Sequence, residues 1–260
     1  MGEAVDNDSG ELQAILSREE PATMEELILK MDSVLRAVGR AGLSHTESFQ
    51  RVYMHLTKRV NERMDDLPGQ GCEPFFKESD SLEKTAKIFA RYWFDPLQAH
   101  ITEGKTPAKA WQTLLQSHRA QHASQGIQFL LGMSAHIIYD LPQALLESNP
   151  TQEYYDDFLA VDDLIYETAE ELSQDLVLVR NSERKKMVTK LTTGAVKRWR
   201  AQSWSDYEML KTYQDQGNSI AQKQLVRSLE RRTIRTNNVL LSIGDTAMRA
   251  FDRAPKLTFL

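Results

Sequence analysis

Apolar residues recur along most of this sequence at alternating spacings of three and four, the period of an amphipathic α-helix. A clear example lies near the N-terminus, where the apolar positions are Met24, Leu27, Ile28, Met31, Leu35 and Val38. Similar stripes continue to about residue 250, and no segment shows the strict alternation of a half-buried strand. The pattern predicts an all-α fold of about eight helices.

The same pattern predicts how the chain is divided. Polar and acidic residues dominate the first 20 positions, which predicts a disordered acidic tail over residues 1–20. Residues 21–260 show short links and no fixed-period repeat, which predicts a single helical domain. Within it, Pro96 is expected to kink or split a helix. We also expect a loop at residues 68–71 and C-terminal helices at about 183–199, 205–214 and 220–250.

The most apolar segment, residues 127–140, carries apolar side chains on nearly every side of a helix, which predicts a helix buried all round. One line of exceptions runs along this segment at spacings of four: Gln128, Gly132, His136 and Asp140. Residues four apart lie on one face of a helix, with β-carbons about 6 Å apart. We therefore expect His136 and Asp140 to contact each other or to share a ligand.

One interpretation makes this line a catalytic site. Gly132 has no side chain, so the space beside it is expected to admit a small molecule, with His136 as general acid or base and Asp140 as its partner. Asp157 is expected to face the pair from the following helix. Hydrolysis, dehydration and cyclisation are all compatible with this set. The residues expected to contact the small molecule are Gln128, Gly132, Tyr139, Trp111 and Tyr53.

Two alternatives stay open for the same residues. In a metal-assisted version, one divalent ion is held by His136, Asp140 and Asp162, since imidazole and carboxylate are both common metal ligands. In a structural version, Asp140 caps the helix that starts at Pro142, and His136 bonds Asp140 inside the core. The chain would then be a non-catalytic binding or interaction protein.

Charge and motifs narrow the classes of function. The net charge of −5 and the pI near 5.8 make nucleic acid a poor candidate partner, and the arginine-rich residues 227–235 are expected to form a solvated face. The only cysteine, Cys72, cannot form an internal disulfide. We see no leader and no span of about 18 apolar residues, so we expect a cytoplasmic protein without a membrane partner. Phosphate-loop and nucleophile-elbow motifs are absent from the sequence.

A family resemblance adds to this picture. Residues 132–142, Gly-Met-Ser-Ala-His-Ile-Ile-Tyr-Asp-Leu-Pro, resemble the Gly-Met-Asn-Ala-His-Ile-Asn-x-Asp-Leu signature of a bacterial family, domain-of-unknown-function family 5995. Segments around Phe49, Phe89 and Trp111 are similar to other pieces of that family in the same order. The resemblance implies a helical fold and brings no established activity. Ser134 and Ile138 stand where the family signature has asparagines.

Overall fold

A computed structural model describes residues 2–64, 74–172 and 182–253, and it describes side chains within residues 9–168 and 192–246 of those ranges. The described residues form helices and no β-strand, and they build a single globular domain, so the predicted all-α fold is confirmed. The predicted loop at 68–71 and Cys72 lie outside the described residues. The helices are α1 Gly2–Leu16, α2 Met24–Arg40, α3 Glu47–Met64, α4 Ser79–Ile101, α5 Lys109–Gln116, α6 His118–Gln121, α7 Gln125–Ser134, α8 Leu141–Ser148, α9 Tyr154–Leu172, α10 Ser182–Asp215 and α11 Ser219–Arg253.

The N-terminal helix α1 differs from the predicted disordered tail. Leu12, Ile15 and Leu16 are buried in the core, and Glu11 forms an ion pair with Arg40 of α2 at 2.7 Å. The three apolar residues have helical spacing, but they are few and have acidic and polar neighbours. The composition of the segment therefore did not indicate a packed helix. Residues Leu12, Ile15 and Leu16 therefore pack against the domain, within the segment where the sequence predicted a tail.

The structure splits neither α4 at Pro96 nor α10 between residues 199 and 205. Helix α4 runs through Pro96 without interruption, because Trp93, Phe94 and Leu97 around it are buried and their packing offsets the hydrogen bond that proline removes. Helix α10 is continuous where a break between residues 199 and 205 was predicted, and Ser203 and Trp204 in that stretch are buried.

The centre of the domain is a continuous helical segment made of α7, a six-residue π-helical turn at Ala135–Asp140, and α8. It contacts α3, α4, α5, α10 and α11, which surround it. By length and composition alone, Gln125–Ser148 is apolar enough to cross a membrane, and 78% of its apolar window is buried inside the fold. The predicted helix buried on all sides is confirmed.

Candidate functional site

The candidate site is built on a buried histidine–carboxylate pair. The Nδ1 atom of His136 lies 3.0 Å from Oδ2 of Asp140, and each residue is 1% exposed. The indole Nε1 of Trp111 donates a hydrogen bond of 3.0 Å to the same Oδ2 atom. The predicted contact between His136 and Asp140 is thus present, and Trp111 fixes the carboxylate from α5.

The pair lies in the π-helical turn, and Pro142 explains why the turn is wider there. The N–H of Leu141 bonds the carbonyl of His136, five residues back, which leaves the Ile137 carbonyl without a helical donor because Pro142 has no N–H. The hydroxyl of Ser203 on α10 lies 2.6 Å from the Ile137 oxygen and supplies that donor. Asp140 is itself helical and makes no side-chain cap, so the predicted capping role is wrong.

Aromatic rings enclose the imidazole of His136. Phe89 of α4 stacks on it with ring centroids 3.5 Å apart and planes 6° from parallel. Tyr53 and Phe49 of α3 approach at centroid distances of 4.6 and 5.6 Å. We call Phe49, Tyr53, Phe89 and Trp111 the aromatic box. Phe89 is its partly exposed member, whereas the other three are buried.

The second ring nitrogen of His136, Nε2, is buried and has no hydrogen-bond partner. His45 also has an unpartnered, buried Nε2, so this feature alone does not distinguish His136. The difference lies at the other ring nitrogen, where His136 is oriented by a carboxylate that Trp111 holds in place. A buried polar atom left without a partner costs about 1–3 kcal/mol.

Burial acts on the protonation of both partners. It lowers the pKa of His136 well below its usual value, so the imidazole is neutral at physiological pH. Burial also raises the pKa of Asp140, and the hydrogen bond from Trp111 opposes that rise by favouring the carboxylate. Tyr53 has a raised pKa because of burial and the nearby charge of Asp140, so its phenol stays protonated.

The space expected beside Gly132 is filled. A β-carbon added to Gly132 would lie 2.4 Å from Cγ of Phe49, so the glycine admits the Phe49 ring and the prediction of an open gap is wrong. Gln128, the next member of the predicted line, donates to the carbonyls of Ala120 and Gln121 at 3.0 and 3.3 Å. Both residues therefore have structural partners.

The other predicted site residues lie in different surroundings. Asp157 is buried and accepts hydrogen bonds from the backbone N–H groups of Lys77 and Glu78, at 2.9 and 2.6 Å, directly before α4 begins. Its carboxylate holds the two residues that precede that helix instead of facing His136. Tyr139 is half-buried, with a pKa raised by burial and by the charge of Asp140.

The predicted metal-ligand set is not assembled. Asp162 forms an ion pair with Arg200 at 2.6 Å. Among the described residues, no three His, Cys, Asp or Glu side chains are grouped so that they could share a metal ion. His136 and Asp140 alone would give a metal two protein ligands, fewer than the three or four of zinc sites.

Sequence reasoning missed Phe49 and Phe89 as parts of the site. Both lie on the apolar stripes of their helices, so their positions indicated only core packing. The available signal was the run of aromatic residues at 89, 92, 93 and 94, which shows that α4 faces an aromatic cluster but not which ring covers His136.

Comparison with known proteins yields one match. A family model described as a family of unknown function, DUF5995, matches residues 24–243. That range runs from the start of α2 into α11 and contains the whole aromatic box and the buried pair. No curated protein and no solved structure matches the chain.

Proposed function

This chain belongs to the family of unknown function DUF5995, and we propose that it acts on a small molecule with Nε2 of His136 as its general base. The observation that carries the proposal is the unpartnered Nε2 atom on a buried imidazole whose Nδ1 is hydrogen-bonded to Asp140. A ligand hydroxyl or a water molecule held at Nε2 would supply the missing partner.

The order of contacts suits this role. Trp111 orients Asp140, and Asp140 orients His136 with the shared proton on Nδ1, which leaves the lone pair of Nε2 free. A carboxylate at Nδ1 makes Nε2 more basic and stabilises the imidazolium that forms when Nε2 takes a proton. Proton abstraction from a hydroxyl or water is the first step shared by hydrolysis, dehydration and cyclisation. We therefore propose a reaction of this general kind. Its proposed location is the reducing cytoplasm.

Phe89 is the residue that must move for a ligand to reach the pair. It covers one face of the imidazole and is the partly exposed member of the aromatic box, so its displacement opens a path with the least loss of core contact. Tyr53 and Phe49 remain as the inner walls, and they favour a ligand with a flat or apolar body.

A second candidate function is a non-catalytic binding or interaction protein in which the pair completes the core. The observation that favours it is Phe49, which fills the space beside Gly132 that a ligand was expected to occupy. The two candidates differ in one measurable property. A functional base must be reached while the protein stays folded, whereas a core pair is exposed only when the whole domain unfolds.

Chemical modification of histidine separates these cases. Diethyl pyrocarbonate acylates neutral imidazole, and peptide mass spectrometry reports the rate at each histidine. We expect His136 to react through a local opening, at a rate that low concentrations of denaturant barely change. His45 is the internal control, because it is also buried with a free Nε2 but has no carboxylate partner. If His136 reacts only in step with global unfolding, the catalytic proposal is wrong.

A further inference from the structure

A second feature of the molecule lies outside the aromatic box. An open groove of about 560 Å³ runs between α8 on one side and α10 and α11 on the other, and Tyr92 of α4 lies at its edge. Its apolar lining comes from Leu146, Leu210 and Val226. The volume is within the range of pockets that bind small molecules, about 300–1,000 Å³.

The charges in the groove are unbalanced. Glu147, its acidic residue, is neutralised by Arg91 at 2.5 Å and also accepts a hydrogen bond of 3.4 Å from Tyr92. Lys223 and Arg227 line the opposite wall, are exposed, and have no ion-pair partner within the part of the chain that the structure describes. The groove therefore carries an excess of positive charge on a chain whose net charge is −5.

The two cations are placed to act on one group. Lys223 and Arg227 are four residues apart on α11, so their side chains lie on the same face of that helix. Ammonium and guanidinium groups at this spacing can bind one carboxylate or phosphate together, with charge-assisted hydrogen bonds. The amides of Gln214 and Gln222 also line the groove and offer donors and acceptors to a neutral part of the same molecule.

We propose that this groove is a binding site for a small organic anion. Its charged group lies between Lys223 and Arg227, and its apolar part lies against Leu146, Leu210 and Val226. The site is independent of the reaction proposed at His136. Within the arginine-rich residues 227–235, Arg227 lines the groove, whereas the exposed Arg231 and Arg235 do not.

Binding to the full-length chain tests this proposal with four probes measured by ligand-observed NMR and calorimetry. Octanoate and phenyl phosphate combine a charge with an apolar part. Inorganic phosphate has the charge alone, and octanol has the apolar chain alone. We expect octanoate and phenyl phosphate each to bind at least tenfold more tightly than both single-feature probes, and their relative affinities report whether carboxylate or phosphate is preferred.

Matched variants locate the site. Lys223→Gln with Arg227→Gln should weaken binding of both amphiphilic anions about tenfold or more, because both charged donors to the anionic group are lost. Arg51→Gln with Lys84→Gln removes the same charge from exposed positions on α3 and α4 outside the groove, and it should leave binding within about twofold of the unmodified protein.

A third variant tests the groove itself. Val226→Trp places a bulky ring in the groove without changing its charge, and it should weaken binding about tenfold while the thermal midpoint stays close to that of the unmodified chain. The proposal is overturned if neither amphiphilic anion binds more tightly than octanol and inorganic phosphate. It is also overturned if the Lys223 and Arg227 double variant binds them as well as the matched control.

Discussion

Phe89 lies flat against His136, with ring centroids 3.5 Å apart, and it is partly exposed where His136 is almost fully buried. Of the four rings of the aromatic box, Phe89 is thus the most exposed to solvent. The same contact excludes water, which keeps the pKa of His136 low, and marks the place where a ligand could enter.

Truncating this ring should expose the pair. We expect Phe89→Ala to increase the rate of His136 acylation by diethyl pyrocarbonate about tenfold or more, which corresponds to about 1.4 kcal/mol less free energy for local opening. The variant should lose about 1–3 kcal/mol of unfolding free energy. Phe75→Ala is the control, because Phe75 is also a partly exposed ring but contacts Phe76. An equal rate in both variants would show that Phe89 does not shield His136.

Gly132 should tolerate no side chain. Gly132→Ala would place a β-carbon 2.4 Å from the Phe49 ring, and we expect a loss of about 1–3 kcal/mol in the free energy of unfolding, measured by urea denaturation. Gly194→Ala is the matched control, because nothing lies within 4 Å of the added atom on α10. That control should gain about 0.5–1 kcal/mol from helix propensity. A neutral Gly132→Ala would mean that Phe49 does not occupy this space.

Asp157 and its neighbour Asp156 provide a test of how the chain is held before α4. Asp157→Ala removes both acceptors for the N–H groups of Lys77 and Glu78, and it should cost about 1–3 kcal/mol in thermal or urea unfolding. Asp156→Ala removes an exposed ion pair with Lys77 and should cost about 0–1 kcal/mol. If the two variants are equally stable, the bonds from Asp157 to Lys77 and Glu78 do not stabilise the fold.

The sequence predicted contacts between residues close together in the chain, but it could not predict contacts between distant helices. Helical periodicity gave the elements, and the four-residue spacing gave the contact between His136 and Asp140, because both ends of that contact lie on one helix. The spacing could not show that Phe49 fills the space at Gly132, since the ring comes from a helix more than 80 residues away. Asp157 was expected to face the pair, and its spacing could not show that its partners are the backbone N–H groups of Lys77 and Glu78, from a distant part of the chain.

The pH dependence of stability should report the buried imidazole. The folded pKa of His136 is lowered, while the unfolded chain takes up a proton near 6.5, so its stabilising contribution is complete above that pH and lost as the pH falls below it. The raised pKa of Asp140 acts in the opposite direction, because the contribution of that group to stability increases as the pH falls. The comparison is therefore made in Asp140→Asn. We expect this variant to lose up to about 1.4 kcal/mol per pH unit below 6.5.

The control for that experiment is the double variant His136→Asn with Asp140→Asn, in which the other histidines are unchanged. It should lose less stability between pH 7.5 and 5.5 in urea unfolding. Equal slopes for the two proteins would show that His136 takes up its proton in the folded state as readily as in the unfolded chain.

The central claim, that Nε2 of His136 is a free base held ready by Asp140 and Trp111, is tested most directly by nitrogen NMR of the protein labelled with ¹⁵N-histidine, with His136→Asn to assign the signal. At pH 7 the account predicts a protonated Nδ1 and an unprotonated Nε2 for His136. A proton on Nε2 would contradict it, because the ring would then present a donor where the proposed chemistry requires a base.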